Sequence, residues 1–449
     1  MFQTPATVHN TIGLLGRGGK YLRGAVGLTA LRFASVGMGL IVTALLSRGL
    51  GVTEFGIFAF AISVATLLAL PLTGGLPTLL MREIAIAEAK NTPAVSAGLS
   101  QWGYRLMGLV SLTLALLAAA AWWLGQKTGL WPWDPKESIV VALVVLLVPA
   151  LSWQQVQRGI LSGHQKVVLG GLGEQLFRPT LMVFLVITLG AWVWPYGAPG
   201  VLGLQLSATL AAILLSFALM RRNLPARINT GAEIHNREWL MALLPLTAIS
   251  TTTILKNNTD IFMLGIIATP AEVGLYRIAA QISVISMLIM QILRSLSAPR
   301  IAAAFAKGDI AAMQRHFIKV GRVMFAASAI FVLVFAAFGK PALIRIFGPD
   351  YTGSWAPCLM LSLAALFSSA CGLVGMALQV TKHAKLAARA AAYSAVVNVV
   401  LNLAFIPLWG AMGAAIATAI TTIAMQTQQW FIARRVLGMR TDVFQRMTP

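Results

Sequence analysis

Acid is what this sequence has least of. Only 13 Asp and Glu stand against 34 Lys and Arg among 449 residues, a formal net charge of +21. Charge of either sign is also scarce: charged residues make up 10% of the chain, against roughly 25% in soluble globular proteins. A soluble fold is excluded. The two cysteines, Cys358 and Cys371, sit on one apolar stretch and cannot build a disulfide framework or a metal site. The five histidines, His9, His164, His235, His316 and His383, lack metal-ligand spacing. Gly13 to Lys20 superficially resembles a phosphate loop, but Leu14 stands at the first glycine position and Tyr21 replaces Ser or Thr, which excludes an ATPase. No cofactor and no metal is expected.

What the chain has is apolar sequence. Hydrophobic residues make up 58% of it, and the mean hydropathy is +0.80. Runs long enough to cross a bilayer fall near 24–47, 55–79, 102–124, 138–160, 168–190 and 200–220, and again near 239–267, 273–297, 320–338, 354–378, 386–406 and 411–433. The expectation is an all-α integral membrane protein of about twelve transmembrane helices. The basic residues before the first run, Arg17, Lys20 and Arg23, suggest a signal peptide, but that run is too long and lacks a cleavage site. A retained first helix is expected. With the N-terminus in the cytoplasm, 23 of the 34 basic residues fall in cytoplasmic segments and 5 in outside loops. The positive-inside rule then puts both termini in the cytoplasm, and the +21 is chiefly a topology signal with no need of nucleic acid. Trp122, Trp123, Trp131 and Trp133 flank the second outside loop as interfacial anchors.

The two groups of six repeat one another. Glu54-Phe55-Gly56-Ile57-Phe58 after the first run reads like Glu272-Val273-Gly274-Leu275-Tyr276 after the seventh, 218 residues later. Arg82 and Arg300 keep that offset, His164-Gln165-Lys166 matches His383-Ala384-Lys385, Gly200-Val201-Leu202-Gly203 resembles Gly410-Ala411-Met412-Gly413, and Arg221-Arg222 matches Arg434-Arg435. The organisation expected is a six-helix bundle over 1–222, a cytoplasmic linker over 223–238 carrying Pro225 and Gly231, and a second six-helix bundle over 239–449. Both halves start on the same side, so the repeat is parallel and a pathway belongs between them.

Six basic residues remain inside predicted helices: Arg32, Arg105, Arg178, Lys256, Arg277 and Arg294. Only Glu174 and Asp260 oppose them. Such charges cost about 2.5–3.5 kcal/mol each at a helix centre, so each must meet a partner, water or a ligand. Arg105 and Arg294 lie near predicted helix ends, where snorkelling accounts for them. Lys256 and Asp260, and likewise Glu174 and Arg178, are spaced i, i+4 and can pair on one helix face. Arg32 lies about eight residues, roughly 12 Å, into the first helix with no acid nearby in sequence. Arg277 occupies the repeat position of Ala59. The candidate substrate-binding set is Arg32, Arg178, Lys256, Asp260 and Arg277. Gln154, Gln155, Gln157, Gln281, Gln291, Gln379, Asn398 and Asn402 add neutral polar groups, and Pro71, Gly74, Gly75, Pro77 and Pro245 offer bending points.

The run Leu50-Gly51-Val52-Thr53-Glu54-Phe55-Gly56-Ile57-Phe58-Ala59, followed by Gly74-Gly75-Leu76-Pro77 and Arg82-Glu83, resembles the polysaccharide transporter and O-antigen flippase family. That family belongs to the multidrug/oligosaccharidyl-lipid/polysaccharide exporter superfamily. The resemblance covers essentially the whole chain. It implies two six-helix bundles forming a V that alternates between inward-open and outward-open states in a bacterial inner membrane. It also implies a polyprenyl-pyrophosphate-linked oligosaccharide as substrate, with polysaccharide assembly proteins as partners. A cation-drug antiporter of the same superfamily would want intramembrane carboxylates, and two acids against six bases disfavour it. A membrane glycosyltransferase or polymerase would want a sizeable outside loop with catalytic acids, and the chain offers only Asp134 and Glu137 in a Trp/Pro-rich turn. A bare scaffold leaves Arg32 without a reason.

Overall fold

The computed structural model describes residues 8–128, 134–224, 231–307, 309–381, 383–438 and 443. Trp131, Trp133, Pro225, Arg227, Lys382, Arg440 and Arg446 lie outside these residues, as do the side chains of Arg17, Lys20, Arg23 and Arg300.

The described chain is helical throughout, as a lipid-embedded backbone with no water to bond must be. The first part comprises α1 (Val8–Leu68), α2 (Leu70–Thr73), α3 (Leu76–Ala89), α4 (Pro93–Thr128), α5 (Pro135–Gly163), α6 (Val167–Gly171), α7 (Arg178–Val193) and α8 (Ala198–Asn223). The second comprises α9 (Asn236–Ile267), α10 (Pro270–Ala306), α11 (Ile310–Ile346), α12 (Trp355–Ala370), α13 (Val374–Val380) and α14 (Ala384–Leu437). Nine helical segments among the described residues are long and apolar enough to cross a membrane, or ten if the bent α9 counts as one. The protein is a multi-pass integral membrane protein.

Two of these helices are broken. α1 turns at Gly51 (φ 74°, ψ 173°) and α14 at Gly410 (φ 52°, ψ −127°), backbone regions that glycine enters without a Cβ clash. Near Pro71 to Pro77 the chain breaks as expected, with Gly75 left-handed between α2 and α3. The helix then resumes and runs ten residues past the expected end at 79, to Ala89. Pro245 lies inside α9, but the 46° bend there falls later, between Asn236–Thr252 and Ile254–Ile267. The first half of α9 packs against the first part of the chain: the backbone at Leu246–Thr247 closes on Gly75, and Trp239 stacks edge-on to Trp102 at 5.4 Å.

The apolar core is asymmetric along the helices. At the end holding Gly51 and Gly410, one cluster joins Leu46, Phe55 and Val186 of the first part to Ile261, Val273, Tyr351 and Ala414 of the second. Toward the opposite end the clusters separate. Leu79, Ile84 and Ile160 form one, whereas Ile301 with Phe317 and Val374 with Ala433 form others. That second end carries Lys90, Lys166, Arg221, Arg222, Lys307, Arg434 and Arg435, and is called the basic end below.

Candidate functional site

The repeated carboxylates set the geometry of the non-basic end. Glu54 accepts a hydrogen bond from the Ala198 N–H at 2.8 Å, where α8 begins after Gly197 (φ 65°, ψ −141°). Glu272 accepts from the Ala411 N–H at 2.6 Å, immediately after Gly410 in the same backbone conformation. Each supplies an anionic acceptor to an otherwise orphaned N–H at a helix start.

Between the two parts runs a seam formed by α1 and α10. Gly39 of α1 faces Gln281 of α10, whose Nε2 would lie 3.2 Å from a Cβ at Gly39. Arg32 sits seven residues before Gly39 and so shares that helix face, while Arg277 sits one turn before Gln281 on the matching face of α10. Along the helix axes the two arginines therefore flank the Gly39–Gln281 level, about 10 Å below and 6 Å above it. Arg32 is exposed and Arg277 half-buried.

Arg178 comes to the site by a different route. The glycine-rich run Gly170-Gly171-Leu172-Gly173 lets the chain approach α8, where a Cβ at Gly173 would strike Ser216 Oγ at 2.3 Å, and Leu172–Phe177 forms a π-helical turn. The wider turn removes the i, i+4 stacking expected of Glu174 and Arg178. Glu174 pairs instead with Arg158 of α5 at 3.1 Å, and Arg178 donates to Gln154 Oε1 at 3.1 Å. The expected Glu174–Arg178 pair is thus corrected.

The Lys256–Asp260 pair is corrected as well. Asp260 is buried and takes three donors from other helices: Tyr276 at 2.5 Å, Thr418 at 2.6 Å and Asn402 at 2.8 Å. Asn402 also donates to Asn398 Oδ1 at 3.0 Å, and its own Oδ1 has no partner among the described residues. Lys256 is exposed, with Nζ 3.9 Å from Met425 Sδ. Asp260 therefore ties α9, α10 and both limbs of α14 together. Arg294, read from the sequence as an end-of-helix residue, closes the apolar span Pro270–Arg294, and α10 continues for twelve residues beyond it.

Among the described residues, none of Arg32, Arg178, Lys256 and Arg277 stands in an ion pair. Sequence reasoning missed Tyr276, Thr418 and Arg158 as the partners of the two acids. Nothing local could have pointed to them, since they lie 16, 158 and 16 residues away.

The family model for "Polysaccharide biosynthesis protein" matches residues 21–305, more than half of the chain. The chain belongs to this family. It is similar to a probable low-salt glycan biosynthesis flippase of Haloferax volcanii, with 28% identity over 165 residues. That match covers 36% of this chain and 34% of the relative, about a third of its length. In fold it is similar to an inward-facing multidrug resistance MATE family transporter of the MOP superfamily, with a TM-score of 0.76, 13% identity and 91% and 98% of the two chains covered. It is also similar to the lipid II flippase MurJ in an inward closed conformation, with a TM-score of 0.68, 12% identity and 91% and 87% covered. The fold of this polysaccharide biosynthesis protein resembles that of MOP-superfamily transporters.

Proposed function

We propose that this protein is a flippase that moves a polyprenyl-pyrophosphate-linked oligosaccharide from the cytoplasmic to the outer leaflet of a bacterial inner membrane by alternating access. The observation that carries the reading is the set of cations within the spans that meet no carboxylate among the described residues: Arg32 and Arg277 along the seam, Arg178 on a neutral glutamine, and Lys256 beside Met425. Unpaired cations facing a pathway suit a pyrophosphate, and Gln281 and its neutral neighbours suit sugar hydroxyls. The polyprenyl tail stays in lipid at a lateral gap between the parts.

Splitting α1 at Gly51 and α14 at Gly410 and counting α9 once turns the nine apolar segments into twelve spans, six on each side of the 223–238 linker. The repeated Glu54 and Glu272 contacts support two bundles of common design. By the positive-inside rule the basic end is cytoplasmic, with both termini there. An inside-negative potential then assists export of an anionic head by about 2.3 kcal/mol per charge per 100 mV. A cation-drug antiporter is less well supported, because Glu174 is paired and Asp260 saturated with donors.

Deletion of the gene, followed by extraction of lipid-linked sugars, tests the reading. Accumulation of a completed polyprenyl-linked oligosaccharide on the cytoplasmic leaflet is expected, and accumulation of a truncated glycan would replace the flippase with a transferase. Arg32→Ala should abolish transport at normal membrane levels, and unchanged transport removes Arg32 from the site.

A further inference from the structure

At the end remote from the basic face, the two parts meet backbone to backbone. A Cβ at Gly56 would lie 1.7 Å from the Pro270 carbonyl oxygen and 3.1 Å from the Gly274 nitrogen, and one at Gly274 would lie 2.5 Å from the Val52 carbonyl oxygen. Gly56 and Gly274 are the repeat-related glycines of the two Glu-x-Gly runs. The repeat thus brings its own equivalent positions together, and the absence of both side chains is what lets α1 and α10 touch there.

Further contacts between the two parts brace this approach. The Arg48 guanidinium donates from Nε to the Ile346 carbonyl at 2.9 Å and from a terminal nitrogen to the Arg345 carbonyl, at the end of α11 where carbonyls lack helical partners. The Tyr351 hydroxyl donates to the Ser47 carbonyl at 3.1 Å, and its ring meets Phe55 edge-on at 6.2 Å. Arg277 lies one turn below Gly274 on α10, and Gln281 one turn below that.

We propose that the Gly56–Gly274 contact is the outward closure of the translocation pathway, latched by Arg48 and Tyr351, and that its separation uncovers the α10 face bearing Arg277 and Gln281. This rests on the flippase reading for its direction, but its test is independent of the cargo. The closure is buried and built of main chain, so a single methyl at Gly56 cannot be accommodated by a side-chain rotation. Gly56→Ala must move α1 from α10.

The test is thiol accessibility in a full-length protein with Cys358 and Cys371, both buried, replaced by Ser and with Gln281→Cys as the reporter. A membrane-impermeant maleimide is applied to intact cells and, separately, to inverted vesicles. The reference protein should label slowly from outside. Gly56→Ala should raise the outside rate at least about tenfold, and Arg48→Ala should raise it less, by a few-fold. Tyr351→Phe, which keeps the ring against Phe55 and loses the hydroxyl bond to the Ser47 carbonyl, should also raise it by a few-fold. Should Gly56→Ala fail to reach the membrane, Arg48→Ala and Tyr351→Phe carry the test. Outside labelling unmoved by Gly56→Ala, Arg48→Ala and Tyr351→Phe overturns the closure. Labelling that responds to these variants only from inverted vesicles leaves a closure on the wrong side, and overturns the direction assigned by the flippase reading instead.

Discussion

The Glu174 carboxylate lies 3.1 Å from the Arg158 guanidinium, across the contact of α5 with the π-helical turn, and Arg178 is left holding a neutral amide. The division matters because an arginine satisfied by a carboxylate offers an anion little, whereas one bonded to Gln154 keeps its net charge for a ligand. Hydrogen bonds to charged groups contribute about 1.5–3 kcal/mol, and each ~1.4 kcal/mol is tenfold in binding. Arg178→Ala should therefore lower flipping in a reconstituted vesicle assay by about tenfold or more. Arg158→Ala should lower it by a smaller factor, because freeing Glu174 places an uncompensated acid beside Arg178. An Arg158→Ala defect larger than that of Arg178→Ala would reverse these roles.

Asp260 is predicted to be chiefly architectural. Asp260→Ala leaves the Tyr276 and Thr418 hydroxyls and the Asn402 amide buried without their acceptor. At about 1–3 kcal/mol for each unsatisfied group, the loss is several kcal/mol, seen as a large fall in Tm of the detergent-solubilised protein. Asp260→Asn keeps an acceptor and should fall between the two.

Glu54→Ala and Glu272→Ala should each cost about 1 kcal/mol by uncapping the starts of α8 and of the second limb of α14. The two contacts lie in separate parts of the chain, so the double variant should show near-additive loss in thermal unfolding. Marked non-additivity would mean that the caps communicate through the Gly56–Gly274 contact.

At the basic end His164 sits 3.3 Å from Glu88 in the connection between α5 and α6. Burial pushes its pKa below the ordinary imidazole value, and the Glu88 charge opposes that without reversing it. The folded state therefore prefers the neutral ring. Its contribution is complete above the unfolded pKa of about 6.5 and is lost as pH falls through the lower folded value. Thermal unfolding at pH 5 against pH 7.5 should show acid destabilisation that His164→Gln reduces, and equal acid sensitivity in both proteins would exclude this source.

The amino-acid sequence alone determined the membrane class, the approximate positions of the apolar runs and the recurrence of the Glu-x-Gly motif, because each rests on properties carried by contiguous residues: length, hydropathy and local pattern. It also put Arg32 forward, since a lone arginine with no acid within a turn or two has no local partner to hide it. Only the tertiary structure decided where the acids went. Asp260 and Glu174 had arginine or lysine neighbours at helical spacing, yet a π turn displaced one pairing, and Tyr276, Thr418 and Asn402 from other helices supplied shorter contacts to the other. The same holds for Gly56 and Gly274. Their motif marked a repeat, but that its two copies touch each other depends on α1 and α10 meeting across the seam, a distance that no local pattern of residues encodes.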